Sequence, residues 1–323
     1  MKQVSKTAAK KAAKIVDRII DAVLSPKTDT WALVLEGGAM RCIFTAGLLD
    51  SLHENCVEKF DYVVGVSAGA ACAASFAAGQ RGRMQDIFIN YLTDHRFLDY
   101  SRVFKSKKSI LDLGYAIRDI STIHVPLDVK TLAKSSMKVY AGLADVEECR
   151  AEFVELDEEN AIPAIIASCN LPFLARGTVN FNGRHYLDGG LIDPIPVQKA
   201  IDLGANKIVV VLTRPRGYRE SPKVLMKALL NRVFGSSAEV QELLENEHIY
   251  YNKCKVFVEL FESDDIELLV ICPPDNYKVD LLTRNKATLL EGYAEGFVAG
   301  NDLAKKLQNY ADFHHNTNEK MFF

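Results

Sequence analysis

One serine in the chain sits where nucleophilic chemistry is easiest to build: Gly65-Val66-Ser67-Ala68-Gly69, a GxSxG pattern. The short apolar run Tyr62–Val66 leads into it and the small-residue run Ala68–Ala78 leads out. A serine between strand and helix is held on a sharp turn at the helix N-terminus, its hydroxyl clear of the sheet. Gly65 and Gly69 suit that turn because a Cβ at either would collide across it. A serine hydroxyl is a weak nucleophile without a base, and an attacked carbonyl needs donors for its developing charge. Donors are available at a second strand-to-helix turn, Glu36-Gly37-Gly38-Ala39-Met40-Arg41, whose glycines expose consecutive backbone N–H groups. It is not a Walker loop, since no GK[ST] follows, and it does not match GxGxxG. For the base, Asp188 in Tyr186-Leu187-Asp188-Gly189-Gly190 is a carboxylate set before two glycines, on a loop able to turn tightly beside another. It can take the serine proton if transfer is concerted with attack. A Ser–His–Asp triad is the alternative, and a histidine following Asp188 leaves His248, His314 or His315. The first falls inside a helical pattern and the others in the tail. His185 is better suited to packing or orienting nearby.

These residues need a scaffold that ends strands at turns. Trp31–Leu35, Tyr62–Val66, Val139–Leu143 and Lys207–Leu212 are continuous apolar runs, which suit parallel strands covered on both faces. Helical patterns stand between them, so the spacing predicts a three-layer α/β/α core with a mainly parallel sheet over residues 31–215. Residues 1–30 read as an N-terminal amphipathic helix (5–24) and a linker. A basic helix of that kind packs on its own domain or lies on an anionic lipid surface. Residues 216–312 predict a smaller α+β C-terminal lobe, with helices over 236–262 and 284–308 and a strand over 266–272. Residues 313–323 read as a tail. Phe97, Tyr100, Phe104, Lys105, Lys107 and Lys108 lie in a loop-like stretch, a solvated loop or an entrance flap at a lipid interface.

Composition removes other classes. Lys+Arg at 39 against Asp+Glu at 42 lacks the basic excess of a dedicated nucleic-acid binder. The seven cysteines are scattered, with no CxxC and no zinc spacing, as expected of reduced thiols in a chain with no metal or other cofactor. No stretch approaches the ~18 apolar residues of a spanning helix, and the N-terminus has no secretory signal core. The expected address is cytoplasmic, with peripheral contact at the inner membrane surface open.

GG-x-x-R after a strand, GxSxG and DGG together resemble the patatin-like phospholipase family. The resemblance covers about residues 31–215 and includes Ala167-Ser168-Cys169-Asn170-Leu171-Pro172 and Asp193-Pro194-Ile195-Pro196. It implies an acyltransferase/lysophospholipase-like fold and a serine acyl hydrolase with a Ser67–Asp188 dyad and an acyl-enzyme. It further implies an oxyanion hole from Gly37, Gly38 and Ala39, a loop supported by Arg41, no metal, and phospholipid, lysophospholipid or other acyl-ester substrates. The C-terminal lobe looks like the extension of a bacterial subgroup. The chain departs from the family's Gly-Gly-Gly-x-Arg/Lys-Gly loop at Ala39 and Cys42; alanine keeps its N–H available if φ is negative there. A triad carboxylesterase and a catalytically silent lipid-binding protein are the rival readings.

Overall fold

A computed structural model describes residues 29–57, 59–94, 114–172, 177–222 and 238–316. The predicted helix over 5–24 and the aromatic and basic residues 97–108 lie outside the described residues. The chain divides after Thr30, and the unit described below is Trp31–Phe323.

Five parallel strands form the frame. β1 (Trp31–Leu35) pairs with β2 (Tyr62–Val66) on one side and with β7 (Lys207–Val211) on the other. β3 (Lys138–Asp145) continues the sheet beyond β2, and β8 (Glu267–Ile271) continues it beyond β7. Both faces are covered, which is why these strands read as unbroken apolar runs. Leu33 and Leu35 pack into the larger core cluster, with α1 (Ile43–Glu54), α2 (Ala68–Ala77), α5 (Ala161–Ser168) and α8 (Lys286–Asn316). Ala32 and Val34 point into the opposite cluster, with α6 (Val197–Asp202) and Val258 of α7 (Ala238–Glu259). The short helices α3 (Arg83–Asp86) and α4 (Val129–Lys134) flank the first face, and a π-helical segment, Gly114–His124, lies between them in sequence.

Three strands are antiparallel, and the apolar-run pattern does not reveal them: β4 (Arg150–Glu155), β5 (Val179–Phe181) and β6 (Arg184–Asp188). β4 occupies one edge of β3 from Tyr140 to Asp145. β2 takes Lys138–Gly142 on the other edge, and β6 takes Leu143–Asp145. β6 therefore meets β3 on the β2 side, where β2 stops.

The segment expected as a C-terminal lobe is continuous with this core. β8 is the outer parallel strand, and α8 lies against α1 at very short range. Gly292, Gly296 and Gly300 recur every four residues on α8, one helical turn apart, and Gly47 faces them from α1. A Cβ on Gly296 would stand 2.0 Å from the Phe44 carbonyl oxygen, and one on Gly300 2.6 Å from that of Leu48. Gly296→Ala gains about 1 kcal/mol of helix propensity but forces two backbones apart, a larger cost. We expect it to destabilise the fold by about 2–3 kcal/mol, read as a lower urea midpoint at unchanged slope. The helix continues through Asn316, beyond the predicted end at 308.

Candidate active site at the carboxyl ends of the parallel strands

Neighbouring positions on β3 bring the serine and the aspartate together. Gly142 pairs with Val66, the residue before Ser67, and Leu143 pairs with Asp188. Ser67 Oγ donates to Asp188 Oδ2 at 2.6 Å although the residues are 121 positions apart. Asp188 closes β6 rather than lying in a loop as expected, and the Gly190 amide donates to its Oδ1 at 2.8 Å. Gly189 is needed for the approach, since a Cβ there would lie 2.2 Å from the Gly142 carbonyl oxygen.

Ser67 sits at φ 55°, ψ −131°, a strained conformation for any residue with a side chain. It persists because its surroundings fix it. The Ser67 N–H donates to Ser168 Oγ at 2.8 Å, and that hydroxyl donates to the Gly142 carbonyl at 2.7 Å. Gly65 and Gly69 allow close packing: a Cβ on Gly65 would lie 2.6 Å from the Gly69 carbonyl, and one on Gly69 would lie 2.7 Å from that of Leu35. Ser168 was visible only as part of the Ala-Ser-x-x-x-Pro resemblance; nothing in its spacing announced this bridging role.

The turn after β1 lies alongside. A Cβ on Gly37 would be 3.0 Å from the Ser67 Cβ. Glu36 Oε2 accepts from the Thr213 amide at 2.6 Å, and Thr213 Oγ1 donates to the Gly37 carbonyl at 3.0 Å, tying the turn to the end of β7. The Leu281 carbonyl accepts from the Met40 amide at 3.3 Å, and Tyr277 Oη donates to the Arg41 carbonyl at 2.9 Å. Among the described residues the amides of Gly37, Gly38 and Ala39 have no hydrogen-bond acceptor.

One expectation about this turn changes. Ala39 has φ 46°, so the negative φ set as a condition is not met and the position favours glycine, yet its amide still has no acceptor among the described residues. Ala39→Gly is expected to stabilise the protein by about 0.5–1 kcal/mol, the relief of backbone strain exceeding the entropy gained by the unfolded chain; urea unfolding measures it. The Arg41 guanidinium, expected to support the loop, makes no hydrogen bond or ion pair among the described residues, and its charge favours the ionised Glu36 carboxylate in the same turn, while Thr213, Leu281 and Tyr277 supply the hydrogen bonds that hold it.

Electrostatics separate the two carboxylates. Asp188 is 1% exposed, and burial pushes its carboxyl up to about 7 against the favourable bonds from Ser67 and Gly190. Burial also raises the Glu36 carboxyl, opposed by Arg41 and the Thr213 amide. No described histidine lines the pockets at Ser67; His185 faces Glu147 at 3.1 Å on the exposed side of β6, and His248 lies on α7.

Two pockets meet at Ser67. One, of about 720 Å³, is lined largely by apolar side chains including Met40, Ile87, Phe88, Ile117 and Leu282. The other, of about 750 Å³, is lined by Gly37, Gly38 and Asp188 together with Arg41, Arg214 and Tyr251. Sequence reasoning missed Arg214 and Tyr251 and had placed no chemistry in the C-terminal part. Among the described residues there is no cluster of three or more metal-ligating side chains and no helix long and apolar enough to cross a membrane.

A mainly parallel α/β sheet with a hydrogen-bonded serine and carboxylate at its strand ends is the frame on which the comparisons fall. The family model described as Patatin-like phospholipase matches residues 33–201, and the chain belongs to that family. A second model, Domain of unknown function (DUF6363), matches residues 237–312. The chain is 29% identical over 274 residues to the uncharacterized protein YjjU of Escherichia coli (strain K12), spanning 83% of this chain and 75% of that one. It is also similar to the crystal structure of VipD from Legionella pneumophila, with a TM-score of 0.44 and 12% identity, covering 86% of this chain and 67% of the other.

Proposed function

We propose that this chain is a serine acyl hydrolase of lipid esters, with Ser67 as nucleophile and Asp188 as its base. The observation that carries the reading is the direct 2.6 Å bond from Ser67 Oγ to a buried carboxylate. Asp188 accepts the hydroxyl proton as Oγ attacks the ester carbonyl. The Gly37–Ala39 amides donate to the oxyanion, each such donor being worth about 2.7–4 kcal/mol in the transition state. Collapse of the tetrahedral adduct breaks the bond to the alcohol, which leaves with the proton from Asp188. Water, deprotonated by the same carboxylate, then attacks the acyl-enzyme and frees the acid and Ser67. The apolar pocket suits the acyl chain.

Family membership supports lipid esters as the substrate class. A triad esterase needs a histidine beside Ser67, and the direct bond to Asp188 occupies that place. A test with little ambiguity is covalent trapping. A fluorophosphonate should modify Ser67, and a long-chain ester quenched in acid should leave its acyl group on the peptide containing Ser67, read by mass spectrometry. Modification elsewhere, or none with lipid still bound, would favour the silent lipid-binding alternative.

A further inference from the structure

The turn after β1 is fixed from outside the stretch that carries the dyad. Residues 33–201, matched as Patatin-like phospholipase, hold the turn Glu36–Arg41 together with Ser67 and Asp188. Its hydrogen-bond partners Thr213, Tyr251, Tyr277 and Leu281 all lie beyond residue 201, and the last three fall in the 237–312 match. The turn needs such anchors, because a residue held like Ala39 at φ 46° relaxes unless its surroundings over-determine it.

Glu36 is the residue through which α7 reaches the turn. Its carboxylate is 1% exposed and accepts from two elements, the Thr213 amide after β7 and the Tyr251 hydroxyl of α7. The peptide that carries the Gly37 amide begins at Glu36, so holding this side chain limits the direction in which that amide points. Tyr251 is itself held in place. Its ring stands edge to face against Tyr218 with centroids 5.8 Å apart, and Lys255, one turn further along α7, is buried and donates to the Pro215 carbonyl at 3.1 Å. Nearer the start of α7, Val240 and Leu243 pack with Leu187 and Leu191, which lie on either side of Asp188 in sequence. One helix therefore touches both the neighbours of the aspartate and the turn that faces the serine.

We infer that Tyr251 is a positioning residue: through Glu36 it aims the Gly37–Ala39 amides at the carbonyl that Ser67 attacks. The segment matched as a domain of unknown function is then a working part of the acyl-transfer site and not an appendage to it. The inference rests on the acyl-hydrolase reading, since that reading gives those amides an oxyanion to meet.

The test sets Tyr251→Phe against wild type with a nitrophenyl ester and two inhibitors that share its acyl chain. One is a trifluoromethyl ketone, which forms a tetrahedral oxyanion with Ser67; the other is the matching alcohol, which carries no charge there. Loss of the hydroxyl should lower kcat by about 10–10²-fold with little change in KM, the scale of a displaced oxyanion donor. Binding of the ketone should weaken by the same factor and that of the alcohol should not change. Direct contact of Tyr251 with substrate predicts instead a higher KM and a weaker alcohol. A merely structural role predicts a lower Tm and equal weakening of both inhibitors. Either pattern overturns the inference, as does an unchanged kcat. Adding Tyr251→Phe to Glu36→Ala should cost no more than Glu36→Ala alone, and an additive loss would count against the route through Glu36. Hydrogen exchange separates the inference from the reading beneath it. Glu36 Oε2 accepts from the Thr213 amide at 2.6 Å, so in Tyr251→Phe that amide should exchange about tenfold faster while the Val210 amide of β7 keeps its wild-type rate. Faster exchange at Thr213 in a protein that hydrolyses no ester sustains the hold of Tyr251 on the turn and removes the hydrolase reading alone. An unchanged rate at Thr213 overturns the inference whatever the hydrolysis.

Discussion

Asp188→Asn is expected to lower turnover by about 10²–10⁴-fold, the range of a lost general base, while making the folded protein more stable at about pH 8. The amide can keep the bond from the Gly190 N–H and can still face Ser67 Oγ, so the geometry survives and the proton acceptor does not. The stability gain follows from linkage. The buried carboxyl titrates near 7, whereas its ordinary value is 3.8. Between those values the native state holds its proton more tightly than the unfolded chain. Stability contributed by the protonated form is fully present below about 4 and is lost as pH rises through about 7. A neutral asparagine escapes that loss. Activity runs the other way, because only the ionised carboxylate accepts a proton. The wild-type kcat/KM should climb with a midpoint near 7 and level off above it. An asparagine variant within a few-fold of wild type, or a flat profile from about pH 5 to 8, would remove Asp188 as the base.

Ser67→Ala should cost still more, about 10⁵–10⁶-fold in kcat, since without the hydroxyl no acyl-enzyme forms. Its companion Ser67→Gly should be equally inactive but more stable than Ser67→Ala by about 1–2 kcal/mol. Both lose the bond to Asp188, but only glycine adopts φ 55°, ψ −131° without strain. Ser67 is the cap residue of α2, a position that already tolerates glycine better than alanine by a smaller margin, so chemical denaturation of the two variants reads the backbone strain at Ser67 as the excess over that margin. Equal stabilities would mean that the turn is relaxed.

The place of Ser67 was legible because β1 and β2 are unbroken apolar runs ending in glycine-bearing turns, and the structure has both strands at the expected bounds. The aspartate was legible as a residue and not as an element. Val179–Phe181 and Arg184–Asp188 are too short and too polar for their pattern to separate a strand from a loop, and their pairing to β3 is non-local. The sign of φ at Ala39 could not be read from composition, since it depends on the Thr213, Leu281 and Tyr277 anchors far along the chain. In the C-terminal part, the presence of two helices and a strand was readable, but the helix ends and membership of the sheet were not. On α7 the burial also departs from the apolar stripe: Lys255 is fully buried, donating to the Pro215 carbonyl, while Phe257 is 39% exposed. The amphipathic pattern reports a helix, but the direction in which Tyr251 points depends on how that helix docks.

Because Gly142 and Leu143 are chain neighbours, the offset between the Ser67 and Asp188 oxygens is metered by one residue's rise along β3, not by the length of what is threaded between them. The tip of the β5–β6 hairpin at Asn182-Gly183 can therefore lengthen or shorten at little cost to catalysis. Whatever surface that hairpin presents to a substrate, the Ser67–Asp188 pair keeps its place in the ladder.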